Sequence, residues 1–165
     1  VYMNAGAYGG EIAGVLREAT LLAPDGQVKT VPAAELGLGY RHSRMMETGE
    51  IVIEAAFALA PGDANAIAAA MRDYAARRRE KQPVTLPSAG SFFKRPAGYF
   101  AGALIEGAEL NGLRVGGAEV STLHAGFLVN VGGATAQDFL DLSAQVIERV
   151  RQTSGVTLEP EVQIV

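Results

Sequence analysis

Ile51-Val52-Ile53-Glu54-Ala55-Ala56-Phe57-Ala58-Leu59, running on into Ala60-Pro61-Gly62-Asp63-Ala64, sets the fold class. Residues 51–59 combine β-branched and aromatic side chains and read as a strand, which Pro61-Gly62 ends. Asp63 can then offer its side-chain oxygen to the free N–H groups of a helix over residues 64–79. Ala, Met and Ile line one side of that helix, while Arg72, Asp73, Arg77 and Arg78 lie on others. A strand that runs straight into a capped helix predicts a mixed domain.

The same alternation continues on both sides. Residues 15–22 and 27–31 are strand-like and flank Pro24-Asp25-Gly26, which predicts a hairpin. Residues 82–87 hold prolines and form the expected domain boundary. Beyond them the pattern predicts a short helix over 99–108 and strands over 114–120 and 126–131. Thr135 should cap a longer helix through Phe139, Leu142, Val146 and Val150. Gly155 should end that helix, with residues 156–165 returning as a strand. There is no internal repeat, and α+β is the expected class.

Composition narrows the function. The chain has 165 residues, is 48% hydrophobic and carries a net charge of -4, so it can bury a core and is not built to hold nucleic acid. It has no cysteine, which excludes a disulfide framework and a thiolate metal site and suits a cytoplasmic location. His42 and His124 are the only histidines, so no metal site is expected. Charged residues or glycine interrupt every apolar run, and no membrane span is expected. Residue 1 is Val, and the apolar, glycine-rich opening lacks the charge pattern of a targeting peptide.

Five groups of residues carry possible chemistry. Pro87-Ser88-Ala89-Gly90-Ser91-Phe92-Phe93-Lys94-Arg95-Pro96 sets one hydroxyl after a glycine and follows it with two aromatics and two cations. Gly90 permits close approach and the prolines restrict motion, so Ser91 can be offered to a ligand. A surface turn with both phenylalanines in the core also accounts for it. Gly39-Tyr40-Arg41-His42-Ser43-Arg44 places cations before a strand, where Arg41 can face a carboxylate or phosphate or simply be solvated. In Leu158-Glu159-Pro160-Glu161-Val162, strand alternation sends both carboxylates to one face. They suit proton donation or an acidic edge that resists aggregation. Val129-Asn130-Val131-Gly132-Gly133-Ala134-Thr135 leads from a strand into a helix start but lacks the P-loop lysine, which leaves a simple turn. Arg77-Arg78-Arg79-Glu80-Lys81 suits a diphosphate or a helix end favoured by its dipole.

Together these residues resemble a family. Asn4-Ala5-Gly6-Ala7-Tyr8-Gly9, Gly39-Tyr40-Arg41-His42-Ser43, the Ser91 segment, Gly116-Gly117-Ala118-Glu119-Val120-Ser121, His124-Ala125-Gly126-Phe127-Leu128-Val129-Asn130 and Leu158-Glu159-Pro160-Glu161-Val162 stand in order. Their order and spacing are similar to those of bacterial UDP-N-acetylenolpyruvoylglucosamine reductases, from end to end of the chain. The short linker and the lack of a tyrosine-bearing insertion resemble the compact subtype.

The resemblance implies a cytoplasmic flavoprotein oxidoreductase of peptidoglycan synthesis, and so of cell wall biogenesis, cell shape and cell division. NADPH would reduce FAD, and hydride would then pass to the enolpyruvyl group of a UDP-sugar. By the same resemblance Ser91 is the proton donor, and Arg41 and Glu161 steady the developing enolate. Tyr40, Lys81, Lys94, Arg95 and His124 meet the substrate, and Asn4, Ala5, Gly6 and Tyr8 lie beside the flavin ring. It further implies that residues 1–82, with a C-terminal strand 156–165, are the later part of an FAD-binding domain, and that residues 83–155 are a substrate domain. The family's amino-terminal flavin-binding part would precede Val1, so the isolated chain is expected to hold FAD poorly and to be inactive. Ala103, Glu109, Asn111 and Leu123 depart from the family pattern of Lys, Gly, Lys and Lys. A non-catalytic nucleotide-sugar-binding fragment and a different FAD-dependent oxidoreductase remain as alternatives.

Overall fold

The computed structural model describes residues 1–164 and divides them between two compact units, Val1–Ala70 and Met71–Val165, the latter described up to residue 164. In the first unit, β1 (Gly6–Ala7) and β2 (Gly10–Glu11) form a small antiparallel pair. A second sheet holds β3 (Leu16–Leu22), β4 (Val28–Pro32) and, after the one-turn helix α1 (Met45–Thr48), β5 (Ile51–Phe57), in the order β4-β3-β5. The expected hairpin around Pro24-Asp25-Gly26 is present, with Leu22 opposite Val28. A bulge between Leu16 and Glu18 changes the phase of β3. It lets Leu16, Ala19 and Leu21 all enter one core with Val31, Leu36 and Met45, although strict alternation would separate residues three apart.

Helix α2 (Ala64–Lys81) begins where expected: the Asp63 carboxylate accepts the Ala66 N–H at 2.8 Å. The division between the units falls inside this helix rather than at residues 82–87.

In the second unit β6 (Ser88–Ser91), α3 (Ala101–Gly107), β7 (Arg114–Val115), β8 (Ala118–Val120), β9 (Phe127–Asn130) and α4 (Ala136–Ser154) follow in order. The sheet is antiparallel, β6-β9-β8-β7. Leu142, Val146 and Val150 recur at helical spacing on α4 and pack with Ile105 of α3 and Val120, Leu128, Phe92 and Phe93. Thr135 and Asp138 form a reciprocal cap, Asp138 N–H to Thr135 Oγ1 at 3.1 Å and Thr135 N–H to the Asp138 carboxylate at 2.9 Å. Gly155 closes α4 with φ of 73°.

Three expectations are corrected. Residues 114–120 are a hairpin rather than one strand, because Val115 pairs with Ala118 across Gly116-Gly117. A Cβ on Gly117 would lie 2.4 Å from both Ala134 N and Gly132 O, so only glycine lets this turn approach the start of α4. Helix α3 starts at Ala101, two residues later than expected, with Phe100 extended as its N-cap. Residues 156–164 do not form a strand; Pro160 alone bridges, to Phe93, and residue 165 of the expected strand lies outside the described residues. This bridge puts the terminal segment with the second unit, where the expected domain division gave it to the first. Pro160 has no N–H, and it sits at the position that needs none. The flanking bonds are Lys94 N–H to Glu159 O and Glu161 N–H to Phe92 O, both 2.8 Å.

Gly117→Ala should destabilise the second unit by about 3 kcal/mol through backbone overlap, and Thr135→Ala by about 1 kcal/mol through the lost cap. Urea unfolding of each variant measures both; a Gly117→Ala chain as stable as the parent contradicts the close approach.

Candidate functional site

The second unit builds its site on a bulge. Ser88 pairs with Val129 and Ser91 with Phe127, so β6 holds one residue more than β9 between these pairs. Gly90 takes up the excess with φ of 85°, a left-handed angle in which a Cβ would still meet nothing within 4 Å. Glycine is there for its backbone angle, and the bulge re-aims the residue that follows. Ser91 stands exposed at the strand end, while Phe92 and Phe93 turn into the core. Ser91 is exposed, and both phenylalanines lie in the core as the surface-turn reading expected.

The terminal pairing brings Glu159 and Glu161 to this strand end. Glu161 is half-buried, and its N–H donates to Phe92, the neighbour of Ser91. Glu159 is exposed, and its carboxylate pairs with the Lys94 ammonium. Ser91, Lys94, Glu159 and Glu161 are therefore neighbours along two paired segments. Arg95 lies next to them, and its guanidinium stacks on Phe100 with Cζ 3.9 Å from the ring centroid. Lys81 is exposed as the last residue of α2.

His124 is held by its surroundings. Its Nδ1 accepts the Gly126 N–H at 3.1 Å, which leaves the donor on Nε2 in the neutral ring. The ring meets Phe127 edge-on at 5.0 Å, and a Cβ on Gly102 or Gly126 would come within 3.3 Å of it. The Ser121 hydroxyl, itself buried, accepts the Leu123 and His124 N–H groups.

In the first unit Gly39 and His42 exchange backbone hydrogen bonds at 3.1 and 3.2 Å, with Tyr40 and Arg41 at the tip between them. Arg41 has φ of 51°, a position that normally takes glycine or asparagine, and its guanidinium lies 5.1 Å from the Tyr40 ring centroid. Asn4 secures this loop. It is 1% exposed, and its amide donates to Gly39 O at 3.1 Å and to the Glu11 carboxylate at 3.0 Å while accepting the Ala13 N–H at 2.9 Å. Both amide hydrogens are spent inside the fold, so Asn4 shapes the loop and has no donor left for a ligand. Ala5 and Tyr8 of the same stretch are exposed and Gly6 is half-buried, with Tyr8 at φ of 50°.

Sequence reasoning missed Glu50. It is 4% exposed and gathers Lys29 at 2.6 Å, the Thr48 hydroxyl at 2.8 Å and two bonds of 3.2 Å from Arg44. Arg44 also donates to Glu35 O, so the loop leaving Arg41 is anchored at its far end. Thr48 and Arg44 lie two and six residues from Glu50, at the two ends of α1, while Lys29 comes from β4, so only part of the cluster was local. The hydrogen bonds from Lys29 and Thr48, with the nearby charges of Arg44 and Lys29, outweigh burial and hold its carboxyl below its ordinary value.

Among the described residues no group of His, Cys, Asp and Glu could hold a metal ion, and no helix is long and apolar enough to cross a membrane.

Residues 82–165 match the family described as UDP-N-acetylenolpyruvoylglucosamine reductase, C-terminal domain. The UDP-N-acetylenolpyruvoylglucosamine reductase of Streptococcus equi subsp. zooepidemicus is 54% identical over 100% of this chain and 56% of its own length. That of Streptococcus thermophilus is 55% identical over 100% of this chain and 54% of its own length. The crystal structure of UDP-N-acetylenolpyruvylglucosamine reductase from Thermus caldophilus superposes with a TM-score of 0.84 at 36% identity, covering 98% of this chain and 57% of that one. The chain thus spans little more than half the length of these relatives.

Because Glu50 is held below the ordinary value of 4.5, the stability it contributes is present above that value and is lost as the pH falls through the lower folded one. Glu50→Gln should lower the melting temperature at about pH 7 and lie closer to the parent at about pH 3. Parallel melting curves across that range test the sign.

Proposed function

Because the chain belongs to the family of the UDP-N-acetylenolpyruvoylglucosamine reductase C-terminal domain, we propose that it forms the substrate side of such a reductase. The reaction is reduction of the enolpyruvyl group of UDP-N-acetylglucosamine enolpyruvate to UDP-N-acetylmuramate. The observation that carries this reading is the pairing that lays Glu161 beside the bulged strand end presenting Ser91.

FAD, reduced by NADPH, supplies the hydride when bound. The exposed small residues around Tyr8 suit a flat ring system: Ala5 carries only a methyl group, and a Cβ on Gly9 would meet nothing within 4 Å. Ala5, Gly6 and Tyr8 would hold the flavin, with Asn4 acting through the shape of the loop.

The chain's own residues meet the charge that the reduction creates. Hydride arriving at the β-carbon pushes electron density towards the substrate carboxylate, and a hydrogen bond or cation aimed there stabilises it. Ser91 gives its hydroxyl proton to the α-carbon. Glu161, which needs a proton or a partner if it is to donate a hydrogen bond, steadies the enolate from the segment paired to Phe92, and Arg41 adds permanent positive charge, with Tyr40 shaping its surroundings. Lys81, Lys94 and Arg95 neutralise the diphosphate or carboxylate, and His124 offers Nε2–H to the nucleotide sugar.

Ser91→Ala in the full-length reductase carrying this chain should leave flavin reduction by NADPH unchanged and slow substrate turnover by about 100- to 10,000-fold. Stopped-flow absorbance separates the two half-reactions. Unchanged turnover would sink the proton-donor role, and a full-length protein that binds the UDP-sugar without turnover would make this a binding module.

A further inference from the structure

Gly102 lies in the first turn of α3, where its backbone is helical and makes no demand for glycine. Alanine suits a helix better, so a glycine at this position needs another cause. Space supplies one. A Cβ on Gly102 would stand 3.3 Å from Cε1 of the His124 ring, 3.6 Å from its Nδ1 and 3.4 Å from Gly126 N. A Cβ on Gly126 would stand 3.0 Å from the same Cε1 and 3.2 Å from Nδ1. Two glycines remote in sequence thus leave room for one edge of one ring.

The ring cannot retreat without loss. Its Nδ1 accepts the Gly126 N–H at 3.1 Å, and its plane meets that of Phe127 at 68°. A methyl group on Gly102 would press on Cε1, the carbon between the two nitrogens, and turn the ring away from Gly126. Nδ1 would then lose the donor that keeps it unprotonated in the neutral ring, and the proton could sit on either nitrogen. Nε2 could then present a lone pair as readily as an N–H. With glycine in place Nδ1 is spent, and Nε2–H, which has no partner among the described residues, is the one uncommitted polar group of the ring.

We propose that Gly102 is a positioning residue: by leaving room for the ring it fixes His124 as a donor only, which selects an acceptor oxygen of the UDP-sugar. This rests on the substrate reading of His124 above, and it adds the residue that sets the polarity of the ring and the kind of atom the ring meets.

The chain, Gly102→Ala, His124→Ala and the double variant are titrated calorimetrically with UDP-N-acetylglucosamine, their melting curves recorded, and the ring nitrogens of His124 read by nitrogen-15 NMR with the ring neutral. The parent should show one tautomer with its proton on Nε2, and Gly102→Ala a mixture of two. Gly102→Ala should weaken binding about five-fold, as much as His124→Ala does. The double variant should bind no worse than His124→Ala, because the ring that alanine crowds is gone. It should also melt no lower than His124→Ala, since only the helix preference of alanine remains, and this comparison still decides the matter if Gly102→Ala alone folds poorly. An unmixed Nε2–H tautomer in Gly102→Ala, parent-like binding by that variant, or an added loss in the double variant overturns the proposal and leaves the substrate reading standing. A parent chain that does not bind UDP-N-acetylglucosamine overturns that reading and the proposal with it.

Discussion

Two backbone hydrogen bonds, from Lys94 N–H to Glu159 O and from Glu161 N–H to Phe92 O, join segments far apart in sequence, Lys94 and Glu159 being separated by 65 residues. Closing a loop of that length costs entropy, and two hydrogen bonds repay little of it. The core between them supplies the rest. Phe92, Phe93 and Leu158 are buried with Leu142, Val146 and Val150 of α4, so the pairing is held from beneath by the sheet and helix. Every candidate site residue around Ser91 inherits its place from this arrangement, because Lys94 and Glu161 are themselves the donors.

The first unit solves a similar problem with polar groups. Residues other than glycine at φ near 50° are strained by about 1–3 kcal/mol each and persist only when their surroundings over-determine them. Tyr8 and Arg41 are two such residues, whereas Asn4 is of a type that tolerates this region. Around Arg41 the restraint comes from two buried side chains, Asn4 at one end of the loop and Glu50, through Arg44, at the other. Both are fully engaged, which is the condition under which buried polar groups rigidify a structure.

Elements governed by neighbours in sequence were legible: the Pro24-Asp25-Gly26 hairpin, the Asp63 and Thr135 caps, and the close of α4 at Gly155. Their causes lie within a few residues of their effects. Residues 114–120 were misread although Gly116-Gly117 is itself a hairpin signal; what is remote is the demand for glycine there, which comes from residues 132–134 and Asp138. The terminal strand failed because hydrophobic alternation is silent about a partner, and Pro160 leaves room for one bridge only. At the site, the glycine before Ser91 marked a special backbone angle, yet the bulge depends on the register of β9. Glu50 depends in part on Lys29 of β4, remote in sequence, although Thr48 and Arg44 are near it.

Motif residues also divide by the direction in which their polar groups point, and this limits what a resemblance alone can assign. Asn4 belongs to a stretch expected beside a ligand, but its two amide hydrogens and its oxygen are used between residues 11, 13 and 39. His124 spends Nδ1 on Gly126 and its N–H on Ser121, which leaves Nε2 as its chemical face. Ser91 contrasts with both: its backbone is committed to the Phe127 pairing while the residue stays exposed. A family pattern therefore mixes groups that build the scaffold with groups that act from it. Counting each donor and acceptor against its partners separates them, and it moves Asn4 from the binding surface to the structure that shapes it.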